Sequence, residues 1–541
     1  MRAESACACT RKSRCCDAGG GIAAATVDRM RIIMPAVLAI GCVAPTESLV
    51  VEKVKVGVPR LGNLGTMGLL PDNYPEDGGA YQYTISMGLE TAAPSLWKVP
   101  LPAGDAVCVD YSTPVVYVRA APANSPYRNN WIFFIQGGGG MQTTDDVLTK
   151  WYGGVHGEMS SRWAPDAIGP TGIFSTAAAN PFRNFNMVFI HKCSSDRYTG
   201  RKSTLATLRT SHQIMGTVPG TMFGTWETLP VGYELEYAFR GHDIVDSALD
   251  MLATSTVEYD TGAGEVTMPS LADARTVFFI GHSGGSRGAT MIVDEVAERI
   301  RGFSAPNSPT PDVRLVMDAG FDPGAESVVN GSMYPATSYP TNDPANSGNP
   351  LATVATANNA STTLWRADGD ATCMANEANV AVCSDVAHVL MNWVETPMFI
   401  RQDLADSKHN LGTDQNGDSH PDCWQVPWEP DWDCYGDTVD QANAVLAQIE
   451  DLDLMRTTAL TATELGTSLR ASSGFFPACG EHEGAHTDAG YLDTLTGANG
   501  IQRSYRSALW TWYLFPNVPL RAVEVANVTD VVDACGAVSL P

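Results

Sequence analysis

Thr276-Val277-Phe278-Phe279-Ile280-Gly281-His282-Ser283-Gly284-Gly285 decides the fold. An apolar run leads without a break into Gly-x-Ser-x-Gly, and a helical pattern follows over 286–301. There Ile292, Val296 and Ile300 fall four apart, with Gly302 placed to stop the helix. Strand, sharp turn and helix together form the setting that lifts a serine hydroxyl above the end of a sheet. Small residues on both sides permit the turn, which aims the N–H of Gly284 at an oxyanion developing on a bound carbonyl. The same glycines would suit a turn built only for close packing, so the motif draws its weight from this context.

Outward from the motif, strands alternate with helices. Residues 113–119, 131–136, 186–191, 276–280, 313–317 and 397–402 read as strands, several of them continuous apolar runs of the kind covered on both faces. Residues 241–253 and 437–451 read as helices. Such alternation predicts an α/β fold with a mainly parallel central sheet flanked by helices. Two long polar stretches interrupt it, 334–362 and 407–436, the second carrying Trp424, Trp428 and Trp432. Loops of that length are uncommon unless they act as lids or binding segments.

A lone serine is a poor nucleophile at neutral pH and needs an imidazole base, itself oriented by a carboxylate. In the chain order Ser, acid, His, the acid is expected just after a strand beyond Ser283. Asp403 and Asp406 follow the strand 397–402, and of ten histidines His482 and His486 come after both with a plausible gap. Gln136-Gly137-Gly138-Gly139-Gly140 follows the strand 131–136 and offers main-chain N–H groups unobstructed by side chains.

Two metal readings compete with this one. His482-Glu483-Gly484-Ala485-His486 matches the H-E-x-x-H pattern of zinc hydrolases. That pattern needs a helix, which Gly480 and Gly484 disfavour, and a third ligand, but Leu492 stands where an extended motif has histidine. Asp414, Asn416, Asp418 and Asp422 alternate like a calcium loop, without its glycine at position 6 or glutamate at position 12. A solvated polar loop accounts for them, and the expectation is no metal and no cofactor.

The chain has 541 residues and a formal charge of −26, which disfavours nucleic acid as a partner, since such binding rests on clustered Lys and Arg. Its 44% apolar content is that of a globular protein, and no run of 18 apolar residues is present. Cys7, Cys9, Cys15 and Cys16 sit in a Gly/Ala-rich leader; Arg29, Met30 and Arg31 then precede the apolar run 32–40 and Gly41-Cys42. This is a signal-like pattern with Cys42 as a candidate lipidation site, and Met30 is an alternative start to Met1. Residues 1–42 are therefore expected to be a leader, 43–104 an N-terminal extension that begins the domain, and 105–541 the domain itself. Export to a disulfide-permissive compartment follows, with any membrane contact only through a lipid anchor. Eight cysteines remain beyond the leader: Cys373 with Cys383 and Cys423 with Cys434 as local pairs, then Cys108 with Cys193 and Cys479 with Cys535. Sequence leaves that connectivity open.

Several further stretches resemble, in order, the pectin acetylesterase/Notum family of serine carboxylesterases. They include Trp131 to Gly139, Met159-Ser160-Ser161-Arg162, Asn180-Pro181-Phe182, Asn186 to Asp196 and Phe239-Arg240-Gly241. Gly281 to Gly285, Asp318-Ala319-Gly320-Phe321, Cys373 with Cys383, Thr396-Pro397-Met398-Phe399, and Cys479-x-x-His482-Glu483 continue the series over roughly 105–515. The resemblance implies an α/β-hydrolase-like fold, one large domain with insertions at 334–362 and 407–436, and ester hydrolysis through an acyl-enzyme. It also implies Asp406 as the acid, His482 as the base, and the N–H groups of Gly138, Gly139 and Gly284 as oxyanion donors. Gln136 and Met141 depart from the family's acidic residue and cysteine. The expected protein is an exported monomer that cleaves an O-acyl ester, first of all O-acetyl on a polysaccharide. The alternatives are a zinc hydrolase using His482, Glu483 and His486, or a non-catalytic glycan-binding surface lipoprotein.

Overall fold

The computed structural model describes residues 95–138, 140–141, 147, 151, 156–162, 164–207, 212–217, 224–229, 231, 234–306, 308–320, 370–376, 383, 389–390, 393–402, 473–477, 482, 484–492, 494–496, 502–516 and 520–523. All belong to one compact unit, Lys55–Pro541. Cys42 and the leader, the helix expected over 437–451, and both insertions lie outside the described residues. So do Cys423, Cys434, Cys479, Cys535 and the calcium-like Asp414, Asn416, Asp418 and Asp422.

Ten strands form the main sheet: β1 (Leu96–Pro100), β2 (Val115–Arg119), β3 (Asn130–Ile135), β4 (Ala167–Ile168), β5 (Asn186–Ile190), β6 (Thr276–His282), β7 (Asp312–Asp318), β8 (Met398–Arg401), β9 (Ser473–Phe476) and β10 (Arg521–Val523). Their order is β10-β9-β8-β7-β6-β3-β5-β2-β1-β4. From β10 to β5 every neighbouring pair is parallel, whereas β2, β1 and β4 join antiparallel. All six expected strands are present, and β1 extends the sheet into the segment 43–104.

The apolar runs are explained by the layers on either side. Trp131, Phe133 and Ile135 of β3 and Val277 and Phe279 of β6 pack with helices α1 (Gly241–Thr254) and α2 (Gly284–Phe303). The alternate residues Ile132, Phe134, Phe278 and Ile280 pack on the other face with helix α3 (Tyr505–Leu514), through Ala508, Leu509 and Trp512. With both faces buried, the stretches 131–135 and 277–280 are apolar at every position, and each buried Phe or Ile contributes about 1.5–3 kcal/mol. Helix α2 corrects one expectation, because it runs through Gly302 to Phe303. A Cβ on Gly302 would meet nothing, so that glycine sits in open space and makes no turn.

Segments matched separately in the sequence meet in space. The buried Asp196 carboxylate accepts the Gly241 N–H at the start of α1 (2.7 Å), the Tyr198 N–H (2.9 Å) and the Ser194 hydroxyl (2.6 Å). Burial still pushes its pKa up to about 6, against those donors. Arg162 and Ser160 both bind the Asp110 carboxylate, at 3.1 and 2.8 Å.

Cys108–Cys193 and Cys373–Cys383 form disulfides, with Cα atoms 4.8 and 5.8 Å apart. The first closes a separation of 85 residues and the second one of 10. Chain-entropy accounting puts their contributions at about 4.5 and about 3 kcal/mol. Paired Cys→Ala replacement should therefore lower the urea midpoint more for Cys108/Cys193 than for Cys373/Cys383. The reverse order would show that native-state strain, not loop closure, sets the effect.

Candidate active site

Strand order reverses at β3, which has β5 on one side and β6 on the other. In open parallel sheets such a point leaves a crevice at the carboxyl ends of the strands. Here those ends carry the glycine run 137–140 and the turn at Ser283.

Ser283 has φ 52° and ψ −124°, a conformation that side-chain-bearing residues rarely adopt and that costs about 1–3 kcal/mol. Its surroundings hold it there. Its N–H donates to the Asp318 carbonyl at 2.8 Å, and its own carbonyl accepts from the N–H and hydroxyl of Ser286, at 3.0 and 2.7 Å. Close approach dictates the flanking glycines: a Cβ on Gly281 would strike the backbone of Gly285 and Ser286, and one on Gly284 the carbonyl of Gly138. Gly284 is also the first residue of the 20-residue helix α2, whose N-terminal dipole favours negative charge. The glycine loop therefore lies directly against the elbow. Gly138 itself has φ 115°, and Gly139 is outside the described residues.

His482 follows β9 and places Nε2 2.7 Å from Ser283 Oγ. The two histidines that sequence left open are thereby separated. His486 is buried, its ring 5.5 Å from Phe134 and 4.3 Å from His282. Burial, with the neighbouring His282 next, holds its pKa well below the ordinary imidazole value, so it stays neutral. Among the described residues of this stretch, 482 and 484–487 are not helical as the zinc motif needs, and the local helix is Asp488–Leu492. His482 faces Ser283, and Glu483 lies outside the described residues. The structure therefore does not favour the zinc reading. Asp403 and Asp406 are likewise outside the described residues, just past Gln402, whose N–H donates to the Phe475 carbonyl at 3.2 Å.

The sequence reading missed the buried carboxylate that meets the 484–486 loop. Asp318 ends β7 in register with His282, fully buried. Its Oδ2 accepts the Ala485 N–H at 2.6 Å and lies 3.7 Å from His282 Nδ1; its Oδ1 is 3.9 Å from the Nε of buried Arg401. Burial raises the pKa of Asp318, and Arg401 is the largest opposing influence. Ligand-type atoms of His282, Asp318 and His486 lie within 4.8 Å of one another. Arg401 already sets a cation against that carboxylate, however, and the Gly484 backbone presses against both Asp318 and His282. That is an arrangement for packing a loop rather than caging a cation. The available signal was an aspartate closing an apolar strand, where a charge is unusual.

Two departures from the family pattern find local roles. Gln136 Oε1 accepts the Lys192 N–H at 2.8 Å and lies 3.1 Å from His191 Nδ1, on a ring whose pKa burial lowers to about 4. Met141 is buried, and its N–H donates to the Ser195 carbonyl at 3.0 Å. Beside Gly138, the buried Lys192 ammonium pairs with Glu158 at 2.7 Å.

A family model described as pectinacetylesterase matches residues 99–531. Sequence comparison with curated proteins finds no match. In structure, the chain is similar to two crystal forms of the Wnt deacylase Notum from Drosophila. The identities are 18% and 19%, each with a TM-score of 0.51, covering 80% of this chain and 97% of that one. This similarity shows an α/β-hydrolase fold.

Proposed function

The chain belongs to the pectinacetylesterase family, a family of carboxylesterases, and from that premise we propose an exported serine esterase with Ser283 as nucleophile, His482 as base and Asp406 as acid. The observation that carries this reading is the 2.7 Å approach of His482 Nε2 to Ser283 Oγ on a strained elbow. From that position the imidazole takes the hydroxyl proton as Oγ attacks the ester carbonyl. The tetrahedral oxyanion is received by the N–H groups of Gly138, Gly139 and Gly284 at the N-terminus of α2. The imidazolium then returns its proton to the departing alkoxide, leaving an acyl-Ser283 that water hydrolyses by the same steps in reverse roles.

The acid assignment rests on the family resemblance and on chain order. β8, which precedes Asp403 and Asp406 in the chain, pairs parallel with β9, which precedes His482. Asp406→Asn should lower kcat about 10⁴-fold, as loss of the orienting carboxylate does in serine hydrolases. Asp403→Asn should change it only a few-fold, and the opposite result would move the acid to Asp403.

Export agrees with the two disulfides. No helix among the described residues is long and apolar enough to cross a membrane. For the substrate we favour O-acetyl groups on a polysaccharide, which is what the family description names. The test is labelling by a fluorophosphonate, followed by an ester panel from acetyl-xylan and acetylated pectin to long acyl chains. Labelling anywhere but Ser283, or activity lost to a chelator, would defeat the serine reading. Turnover confined to long chains would defeat the acetyl preference.

A further inference from the structure

We propose that Asp318 is a positioning residue that sets the distance between nucleophile and base, an inference that rests on the Ser283–His482 reading above. Asp318 holds both partners. Through its carbonyl it accepts the Ser283 N–H at 2.8 Å, fixing the elbow. Through Oδ2 it accepts the Ala485 N–H at 2.6 Å, fixing the loop three residues beyond His482.

The sheet makes this possible. β6 and β7 run parallel with His282 opposite Asp318, so both side chains rise from the same row and on the same face. The base loop descends onto that row because residue 484 is glycine. A Cβ there would collide with Asp318 Oδ2 and His282 Nδ1, so any side chain would hold the loop away from the carboxylate. Arg401, on the next strand, keeps the carboxylate from being an unpaired buried charge. The far side of the loop is tied independently. Ile173 N–H donates to the Ala485 carbonyl at 2.6 Å, the Thr171 hydroxyl to the His486 carbonyl at 2.7 Å, and Gly172 N–H to the Asp488 carboxylate at 2.8 Å. Those three bonds anchor the loop to the domain; beside the His482–Ser283 contact itself, the Asp318 bond ties it to the elbow. Loss of that bond leaves the loop folded but frees His482 to drift from Oγ, and a misplacement of about 1 Å can cost 10²-fold in rate.

The test uses the full chain with p-nitrophenyl acetate and a fluorophosphonate. Asp318→Ala should lower kcat about 100-fold with KM changed less than about 3-fold, and should slow labelling of Ser283 in parallel. Asp318→Asn retains a carbonyl oxygen for the Ala485 N–H and should recover at least about 10-fold of that loss. Gly484→Ala, which lifts the loop while leaving Asp318 in place, should reproduce the alanine defect. It also carries the test if Asp318→Ala fails to fold. Near-wild-type kcat in both Asp318→Ala and Gly484→Ala overturns the inference, as does a loss in Asp318→Ala that asparagine does not recover. If Asp318→Asn is as inactive as Ser283→Ala while Asp406→Asn remains active, Asp318 is itself the acid and the positioning role fails. If Ser283→Ala remains active, the underlying serine reading is what fails.

Discussion

Ser283→Ala is expected to lower kcat for p-nitrophenyl acetate by about 10⁶-fold, the scale seen when a serine hydrolase loses its nucleophile. Its described neighbour Ser286 cannot replace it. The neighbouring Ser286 hydroxyl is committed to the Ser283 carbonyl at 2.7 Å and is buried. The fold should survive, because the bonds that hold the elbow are main-chain bonds from Ser283 to Asp318 and Ser286, which alanine keeps. The melting temperature should stay within a few degrees, since removal of one partly exposed hydroxyl changes stability by about 1 kcal/mol or less. Retained turnover in a folded variant would remove Ser283 from the mechanism.

His482→Ala should be nearly as severe, about 10⁵-fold or more in kcat, because Oγ would lose the one group set to take its proton. The contrast with His486 makes the experiment decisive. His486→Ala should keep kcat within about 10-fold yet lose about 1–3 kcal/mol of stability, because that ring fills buried space between Phe134 and His282. Activity against p-nitrophenyl acetate and urea midpoints, measured on both variants, should separate the two effects. If His486→Ala inactivates and His482→Ala does not, the base has been misassigned.

Much of the fold was legible in the chain. Runs such as Trp131–Ile135 and Val277–Ile280 are apolar at every position because both faces of the sheet are covered, and that pattern is local. The elbow was legible for a similar reason. The turn needs small residues at Gly281 and Gly284 within one short stretch, and the helix after it shows its own four-residue spacing. Cys108 with Cys193 and Cys373 with Cys383 were also paired as expected.

The site divided differently. Sequence spacing offered His482 and His486 on equal terms, and only the resemblance to a family preferred the first. The structure sends His482 to Ser283 and turns His486 under the loop against Phe134. Asp318 appeared in the sequence merely as one residue of a matched motif.

The strands and the elbow with its candidate serine were therefore readable from the sequence, because each depends on contacts or conformations among residues close in the chain. The tertiary structure alone decided which imidazole meets Ser283 and what holds it there. Residues 283, 318, 401 and 482 come from four different strand ends. Their meeting depends on the order and register of parallel strands, which no local pattern of residue types encodes.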